Sequence, residues 1–546
     1  MNLAELLTIP ASMFPDQELL RFDGEGTSYG ALADRVARTA GALRALGVEL
    51  GDRVAVLETN TPAVLEALYA ATSLGAVCVP LNYRAHPREL AAMLAVATPR
   101  LLLAGERYVE IARRATTELS GVDDAAATGS APAVPPVVAL EQPSAVEPAA
   151  DVPSLAALAE QAESVEPVAV ADDDLAVLMF TSGTTAAAKA VMLAHADLVS
   201  FVFGTTEPAD GSDAGTVLVA APLYHIAGLS AALAATWAGR RIALLRQFEA
   251  GEWLALVAAE RITHAFLVPT MLKRVLDHPA FAAADLTSLQ VLSYGAAPMP
   301  LAVIRRAIAA LPPTVQFFNA FGQTETASTV TTLGPDDHRL DGPPEEVERR
   351  LRRLASVGRP LPDVEVRILD AEGRPLLAGQ VGEIAIRTER LMRGYYGQAD
   401  ATSATLQDGW LRTRDLGWLD DDGYLYLTGR QSDLIIRGGE NVAPEEVEAV
   451  LETHPAVEEA AVIGLPDEEW GERIAAVVVP RPGADLSAPA LVDYCRQRLA
   501  SFKKPETVIF AEALPRSALG KLLRRELRAR YASAPANGDD HAQPDR

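Results

Sequence analysis

Two cysteines in 546 residues, Cys78 and Cys495, stand far apart, so the sequence carries neither a disulfide framework nor a zinc-binding spacing. Positive charge is scarce. With 48 Lys and Arg against 73 Asp and Glu, the formal net charge is −25, which excludes nucleic acid and anionic membrane as main partners because both need a cationic face. Long apolar runs are missing too: the longest, 68–81 and 228–239, are too short and interrupted to span a bilayer. The opening MNLAELLTIP lacks a cationic segment followed by an apolar core and a small-residue cleavage site, so a cytoplasmic, reducing location is expected. What is present, 49% hydrophobic and 22% charged residues, is the balance of a globular protein. The length exceeds what one core usually organises, so two or more domains are expected.

Along the chain, apolar patterning alternates between strand and helix periods. Leu32, Val36, Ala40 and Leu43 share one helix face after Thr27-Ser28, and Gly47 ends that helix. A strand at 53–57, a helix at 62–74 and a strand at 76–79 form a βαβ unit, which makes the sheet parallel. Residues 121–174, rich in Ala, Pro, Val and Glu, read as a loosely ordered surface connection with a weak strand at 136–140 and a weak helix at 154–162. The alternation resumes from 217 to 318, predicting a doubly wound sheet with its ligands beyond the carboxyl ends of the strands. Short strands with Gly/Asp turns follow from about Ser356, then a compact α/β region beyond Gly429-Arg430. The end, 532–546, is polar and expected to be disordered.

The stretch 175–193, LAVLMFTSGTTAAAKAVML, is the centre of this arrangement: an apolar strand, a loop of small and hydroxylated residues, one lysine and a second apolar run. Backbone N–H groups, hydroxyls and a cation presented together suit a phosphate. Further motifs follow in order: GAAP at 295–298, FGQTE at 321–325, TRD at 413–415, GRQSD at 429–433, GGEN at 438–441 and LPRSALGK at 514–521. On these residues the chain, from about 25 to 530, resembles the adenylate-forming superfamily of acyl-CoA synthetases, luciferases and nonribosomal adenylation domains. The resemblance implies an α/β fold: a large N-terminal domain of doubly wound sheets plus a distorted β-barrel (1–430) and a small mobile α+β lid (431–530), before the tail 531–546. It also implies two half-reactions, formation of acyl-AMP and pyrophosphate from a carboxylic acid and ATP, then attack of a thiol on the adenylate after the lid turns.

Carried over by position, the resemblance puts Thr181, Ser182, Gly183, Thr184, Thr185 and Lys189 in the phosphate loop. Phe321 would stack on adenine, opposite a wall of Gly295, Ala296, Ala297 and Pro298, with Asn319 and Gly322 beside it. Thr324 would hold the α-phosphate and Glu325 a Mg²⁺, a hard cation that takes oxygen ligands. Asp415, helped by Arg430, would accept the ribose hydroxyls through its several lone pairs. Lys521 would neutralise charge developing during adenylation. After lid rotation, Gly438 and Gly439 of the GGEN loop would pass the pantetheine arm of CoA, with Arg437, Lys503 and Lys504 near its phosphates. His225 and Gly228 fall at the acyl pocket, where several small residues leave room for a bulky acid. The hinge position, commonly Asp or Lys, is Ser432.

The phosphate loop departs from the family pattern TSGTTG-x-PKG, with Ala186, Ala188 and Ala190 in place of Gly, Pro and Gly. A methyl group fills space the β- and γ-phosphates approach, and any position needing φ > 0 costs alanine roughly 1–2 kcal/mol. About 1.4 kcal/mol is tenfold in rate, so a few such defects could remove adenylation. The groups expected to hold AMP are all retained, although Arg414 replaces a common glycine beside Asp415. Such a loop resembles that of a non-adenylating ligase of the platensimycin type of pathway. The expected enzyme is an acyl-CoA ligase strong in thioesterification and weak or dead in adenylation, supplied with acyl-adenylate by a separate adenylating ligase. Its alternatives are a complete ATP-dependent synthetase, a domain loading a carrier protein in trans, and a silent adenylate-binding protein. The last would have no use for Lys521 and the GGEN glycines.

Overall fold

The computed structural model describes residues 1–119, 133–141, 152–181, 189–431, 433–437, 440–467, 470–517 and 520–532. A large N-terminal domain carries three sheets, and a smaller C-terminal domain carries a fourth. In the seven-stranded sheet, Arg53–Leu57 lies parallel to Val77–Pro80 and Leu101–Ala104, with helix Pro62–Ser73 as the crossover. This is the βαβ unit that the sequence predicts. These strands are buried along their length, as expected where helices cover both faces of a parallel sheet.

In the nine-stranded sheet, the parallel strands Thr216–Val219, His264–Leu267, Val291–Gly295 and Gln316–Gln323 lie side by side, so their carboxyl ends open on one edge. Helix Tyr29–Ala45 starts where Ser28 accepts a hydrogen bond from the Ala31 N–H, and it buries Leu32, Val36, Ala40 and Leu43, the predicted face. The third sheet is antiparallel, built from Glu365–Leu369, Gly382–Arg387, Trp410–Leu419 and Leu425–Arg430, where the sequence suggests a distorted barrel. In the C-terminal domain, Val457–Asp467 and Gly471–Pro480 form a long hairpin under helix Pro444–Glu452.

One expectation needs correction. The described part of 121–174 holds the expected strand and helix but is no loose connection: Val137–Ala139 extends the parallel sheet beside Leu101–Ala104, and helix Leu155–Gln161 packs on helix Tyr29–Ala45. Val138, Leu140, Leu155 and Val165 join the core; the Ala- and Pro-rich composition hides them because only a few apolar side chains are needed to close a sheet edge. The two apolar runs of the central stretch pair as antiparallel strands, Leu175–Thr181 with Lys189–Ala194. Among the described residues no helix is long and apolar enough to cross a membrane.

Candidate functional site

The strand Gln316–Gln323 delivers Asn319, Phe321, Gly322 and Gln323 to the carboxyl edge of the sheet, and a single 3₁₀ turn, Thr324–Thr326, follows. Gly322 is obligatory there because a Cβ would lie 1.9 Å from the Ser328 carbonyl oxygen. Gly295 ends the neighbouring strand under the same constraint, 2.0 Å from the Ala320 oxygen, and Ala296 then turns with φ +65°. Asn319 donates to the Ser356 carbonyl at 3.2 Å, which fixes its amide, while Phe321 stays half-buried.

Asp415 sits opposite, where Trp410–Leu419 pairs in register with Arg430 of the next strand. Its two oxygens are taken separately: Arg430 Nε at 2.8 Å from Oδ1, and Gln323 Nε2 donating to Oδ2 at 2.6 Å. Burial pushes this carboxyl up, while Arg430, Gln323 and Lys521 pull it back toward the charged form. A carboxylate oxygen can accept more than one bond, so both retain capacity for a ligand hydroxyl. Gln323 was overlooked as a functional residue; its place inside FGQTE was the available signal.

Lys189 and Glu325 meet through a residue the sequence reading also missed. The Lys189 ammonium lies 4.5 Å above the Tyr395 ring, and the Tyr395 hydroxyl donates to Glu325 Oε1 at 2.9 Å. Burial lowers the Lys189 pKa, Arg414 lowers it further, and Glu325 opposes both. Among the described residues Glu325 Oε2 makes no hydrogen bond, so one carboxylate oxygen can serve a cation whose other ligands are phosphates and water, the usual arrangement for Mg²⁺. Among the described residues no cluster of three acidic, His or Cys side chains could hold a metal unaided.

The C-terminal domain brings Lys521 into this cleft. Gly520, at φ +71°, packs so closely on helix Pro269–Asp277 that a Cβ would fall 2.1 Å from Thr270 Oγ1. The same helix holds the domain through Lys273, whose ammonium is 2.5 Å from Glu458 Oε1. Desolvation and then Arg430 lower the Lys521 pKa, while Asp415 and Glu325 raise it, so the lysine shares its surroundings with both carboxylates. Solvent still reaches its side chain. His225 precedes helix Ile226–Trp237 and is pulled down to about 3 by burial, with Lys521 and Arg84 adding to the effect. It is therefore a neutral ring at physiological pH.

Other predicted residues lie elsewhere or serve other ends. Thr181 pairs with Lys189 at the hairpin mouth, and Thr324, Ala297 and Pro298 lie in the turns just described. Ser182, Gly183, Thr184, Thr185, Ala186, Ala188, Ser432, Gly438 and Gly439 lie outside the described residues. Ala190 contradicts the expectation of a strained, phosphate-facing methyl. It is fully buried in the ladder opposite Phe180, has no positive φ, and accepts from the Tyr396 N–H at 2.8 Å. Gly228 does not widen a pocket, since a Cβ there would meet the Pro222 and Ala221 carbonyl oxygens at 2.4 and 2.6 Å. Gly295 is small for the same kind of reason, so small residues here do not signal a bulky acid. Arg437 is ion-paired to Glu506 and lies 4.8 Å from the Trp470 ring centre; Lys503 holds both Glu446 oxygens at 2.7 Å.

A pH prediction follows from the packing of this domain. Burial pulls His195, His264 and His338 down to about 4. Each stays neutral in the fold where the unfolded chain, with a histidine pKa of about 6.5, takes up a proton. Their contribution to stability is complete above about pH 6.5 and shrinks as pH falls toward 4, by roughly 1 kcal/mol per pH unit for each ring. Asp197, pushed up to about 6 by burial, works in the opposite direction and offsets only part of this. Urea melts at pH 7 and pH 5 should show the N-terminal domain weaker at pH 5, and equal midpoints would contradict the assignment.

Comparison with known proteins places this geometry. Residues 8–396 match the family described as AMP-binding enzyme, and 446–521 match the AMP-binding enzyme C-terminal domain. The chain is 36% identical over 522 residues to a feruloyl-CoA synthase of an Amycolatopsis species, covering 95% of this chain and 97% of that one. It is 34% identical to ScoC, a fatty acid–[acyl-carrier-protein] ligase of Streptomyces coeruleorubidus, over 97% of this chain and 96% of that one. Among solved structures, o-succinylbenzoate CoA synthetase from Bacillus subtilis, in complex with its acyl-adenylate intermediate, superposes with a TM-score of 0.79 at 29% identity. That match covers 96% of this chain and 98% of that one.

Proposed function

Because the chain belongs to the AMP-binding enzyme family and is an acid–thiol ligase of the adenylate-forming superfamily, we propose that it makes acyl-CoA chiefly by thioesterification of an acyl-adenylate. Adenylation from ATP is its slow or lost half. The observation that carries this reading is the contrast between the two ends of the cleft. Asp415, held by Arg430 and Gln323, keeps a complete grip for the ribose of AMP, whereas the loop that would cradle pyrophosphate has Ala186 and Ala188 where glycine and proline are usual.

In the thioester step the CoA thiol gives up its proton to solvent and its sulfur attacks the acyl carbonyl, so the C–S bond forms as the acyl–phosphate bond breaks and AMP leaves. Asp415 and Thr324 keep the nucleotide in place, and neutral His225 lies at the acyl end without adding charge. In adenylation a carboxylate oxygen attacks the α-phosphorus of ATP and pyrophosphate leaves; Lys521 would offset the charge gathering there. Glu325 would hold the Mg²⁺ that this half-reaction needs, through its free oxygen. We place the domain boundary between Arg430 and Gln431, with Ser432 as hinge and 431–530 as the moving lid that exchanges Lys521 for Gly438, Gly439 and Arg437. The two cysteines, buried and unbridged, suit a reducing compartment such as the cytoplasm. A separate adenylating ligase would supply the acyl-AMP.

A complete ATP-dependent synthetase is the second reading, favoured by the unstrained Ala190 and by Lys521 already beside Asp415 and Glu325. ATP–pyrophosphate exchange across a panel of aromatic and fatty acids, set against thioester formation from synthetic acyl-AMP and CoA, separates the two. Robust exchange by the natural chain would end the half-enzyme reading. The same assay gives a prediction for the loop: Ala186→Gly should raise exchange about tenfold or more. Ala190→Gly should leave exchange unchanged and destabilise the strand by about 1 kcal/mol, because it removes a buried methyl and loosens the backbone.

A further inference from the structure

Arg414 occupies a backbone position that glycine would fill with less strain. Its φ is +61°, in the left-handed region that a residue with a Cβ enters at a cost. The conformation is held on both sides: the Arg414 N–H donates to Glu383 Oε1 at 3.1 Å, and the Arg414 carbonyl accepts from the Gln431 N–H at 2.9 Å. Here the strand loses its regular register, which shifts between Glu383 and Ala385. A side chain maintained at such a point calls for a reason in the side chain itself.

The carboxylate that could have neutralised Arg414 is already engaged. Glu383 gives one oxygen to the Arg414 backbone and the other to the Arg412 guanidinium. Among the described residues the exposed Arg414 guanidinium has no hydrogen-bond or ion-pair partner. Arg414 adjoins Asp415, which accepts from Gln323, and Lys189 rests on the ring of Tyr395, whose hydroxyl donates to Glu325, so both cations flank the turn at 323–325, and among the described residues Lys189 has no ion-pair partner. Glu325, one oxygen of which accepts the Tyr395 hydroxyl, brings a single negative charge to this side of the cleft. Two cations thus repel each other across a cleft in a chain where Asp and Glu outnumber Lys and Arg by 73 to 48, and an anion bound between them would relieve the repulsion.

We infer that Arg414 and Lys189 form a side-chain seat for a phosphate group of the bound nucleotide, supplying from side chains part of the grip that a glycine-rich loop supplies through its backbone. The inference rests on the reading of this cleft as an adenylate site, but not on which half-reaction it runs. A guanidinium suits the task because its planar donors can engage two phosphate oxygens at once.

Equilibrium binding of adenosine, AMP and ATP to the full chain and to Arg414→Gly and Arg414→Lys, by calorimetry without acid or CoA, tests it. Arg414→Gly should melt at the same or a higher temperature than the natural chain, because glycine is at ease at φ +61°. Its affinity for AMP should fall about tenfold or more, while adenosine binds as before. Arg414→Lys should recover part of the loss, most clearly at low ionic strength. An equal loss for AMP and ATP puts the seat at the α-phosphate; a larger loss for ATP puts it at the β- and γ-phosphates, and either supports the inference. It is overturned if Arg414→Gly binds AMP and ATP as tightly as the natural chain, or if adenosine affinity falls in parallel. Because nothing turns over, this result stands apart from pyrophosphate exchange, so the seat and the half-enzyme reading can fail separately.

Discussion

Lys521→Ala is expected to reduce whatever acyl-adenylate formation the natural chain supports by 10²- to 10³-fold, while thioester formation from supplied acyl-AMP and CoA changes little. The size follows from removing one charge that meets developing negative charge, a loss of about 3–4 kcal/mol in comparable sites, a magnitude that belongs to the cleft with substrate bound because solvent reaches Lys521 in the open cleft. The asymmetry follows from position. Lys521 lies beside Asp415 and Glu325 only while Gly520 is seated against Thr270 and Lys273 holds Glu458. Thiol attack is expected after the lid has turned and carried the lysine away. Single-turnover measurements of each half-reaction give the comparison, and an equal loss in both would show that Lys521 does not belong to one step. Lys521→Arg is the useful companion, since it keeps the charge and changes the reach and hydrogen-bond geometry.

Asp415→Ala should be the most damaging single change to nucleotide binding, weakening ATP and acyl-AMP together by about 10²-fold or more and lowering both half-reactions. Each hydrogen bond to a charged group contributes about 1.5–3 kcal/mol, and the carboxylate is placed to accept more than one. The side chain is buried, with one oxygen on Arg430 and one on Gln323, so its loss strips both of their partner and adds about 1–3 kcal/mol of instability. Asp415→Asn separates the two effects. It keeps the shape and one acceptor oxygen, so the fold should hold while nucleotide affinity still falls. Calorimetric titration with AMP beside a thermal melt decides it: unchanged AMP affinity in Asp415→Asn would remove Asp415 from the site. Because burial raises the Asp415 pKa, nucleotide affinity should also decline as pH drops through the acid range and the carboxylate takes up a proton.

Much of the fold was legible because the periods were strong. The βαβ unit at 53–80 and the helix from Tyr29 follow from apolar spacing and a serine cap, each local in sequence. In 121–174 the strand and the helix were legible but their place in the core was not, because it depends on docking: three short-strand residues and a few buried apolar side chains matter only once a sheet edge waits for them. Candidate residues inside motifs can be singled out one by one, whereas the contacts of Tyr395 with Glu325 and of Gln323 with Asp415 depend on segments some 70 to 90 residues apart being brought together.

The amino-acid sequence alone determined the family and the order of the elements, and it singled out Asp415, Glu325, Phe321 and Lys521 as candidates, because those rest on residue types and short spacings that survive without coordinates. Only the tertiary structure decided that Ala190 is a buried strand residue, that Gly228 and Gly295 are small to admit backbone carbonyls, and that Arg414 carries a left-handed backbone beside Lys189. The reason is physical: backbone conformation, close approach and unpaired charge are relations between distant segments, and no single stretch of sequence contains them.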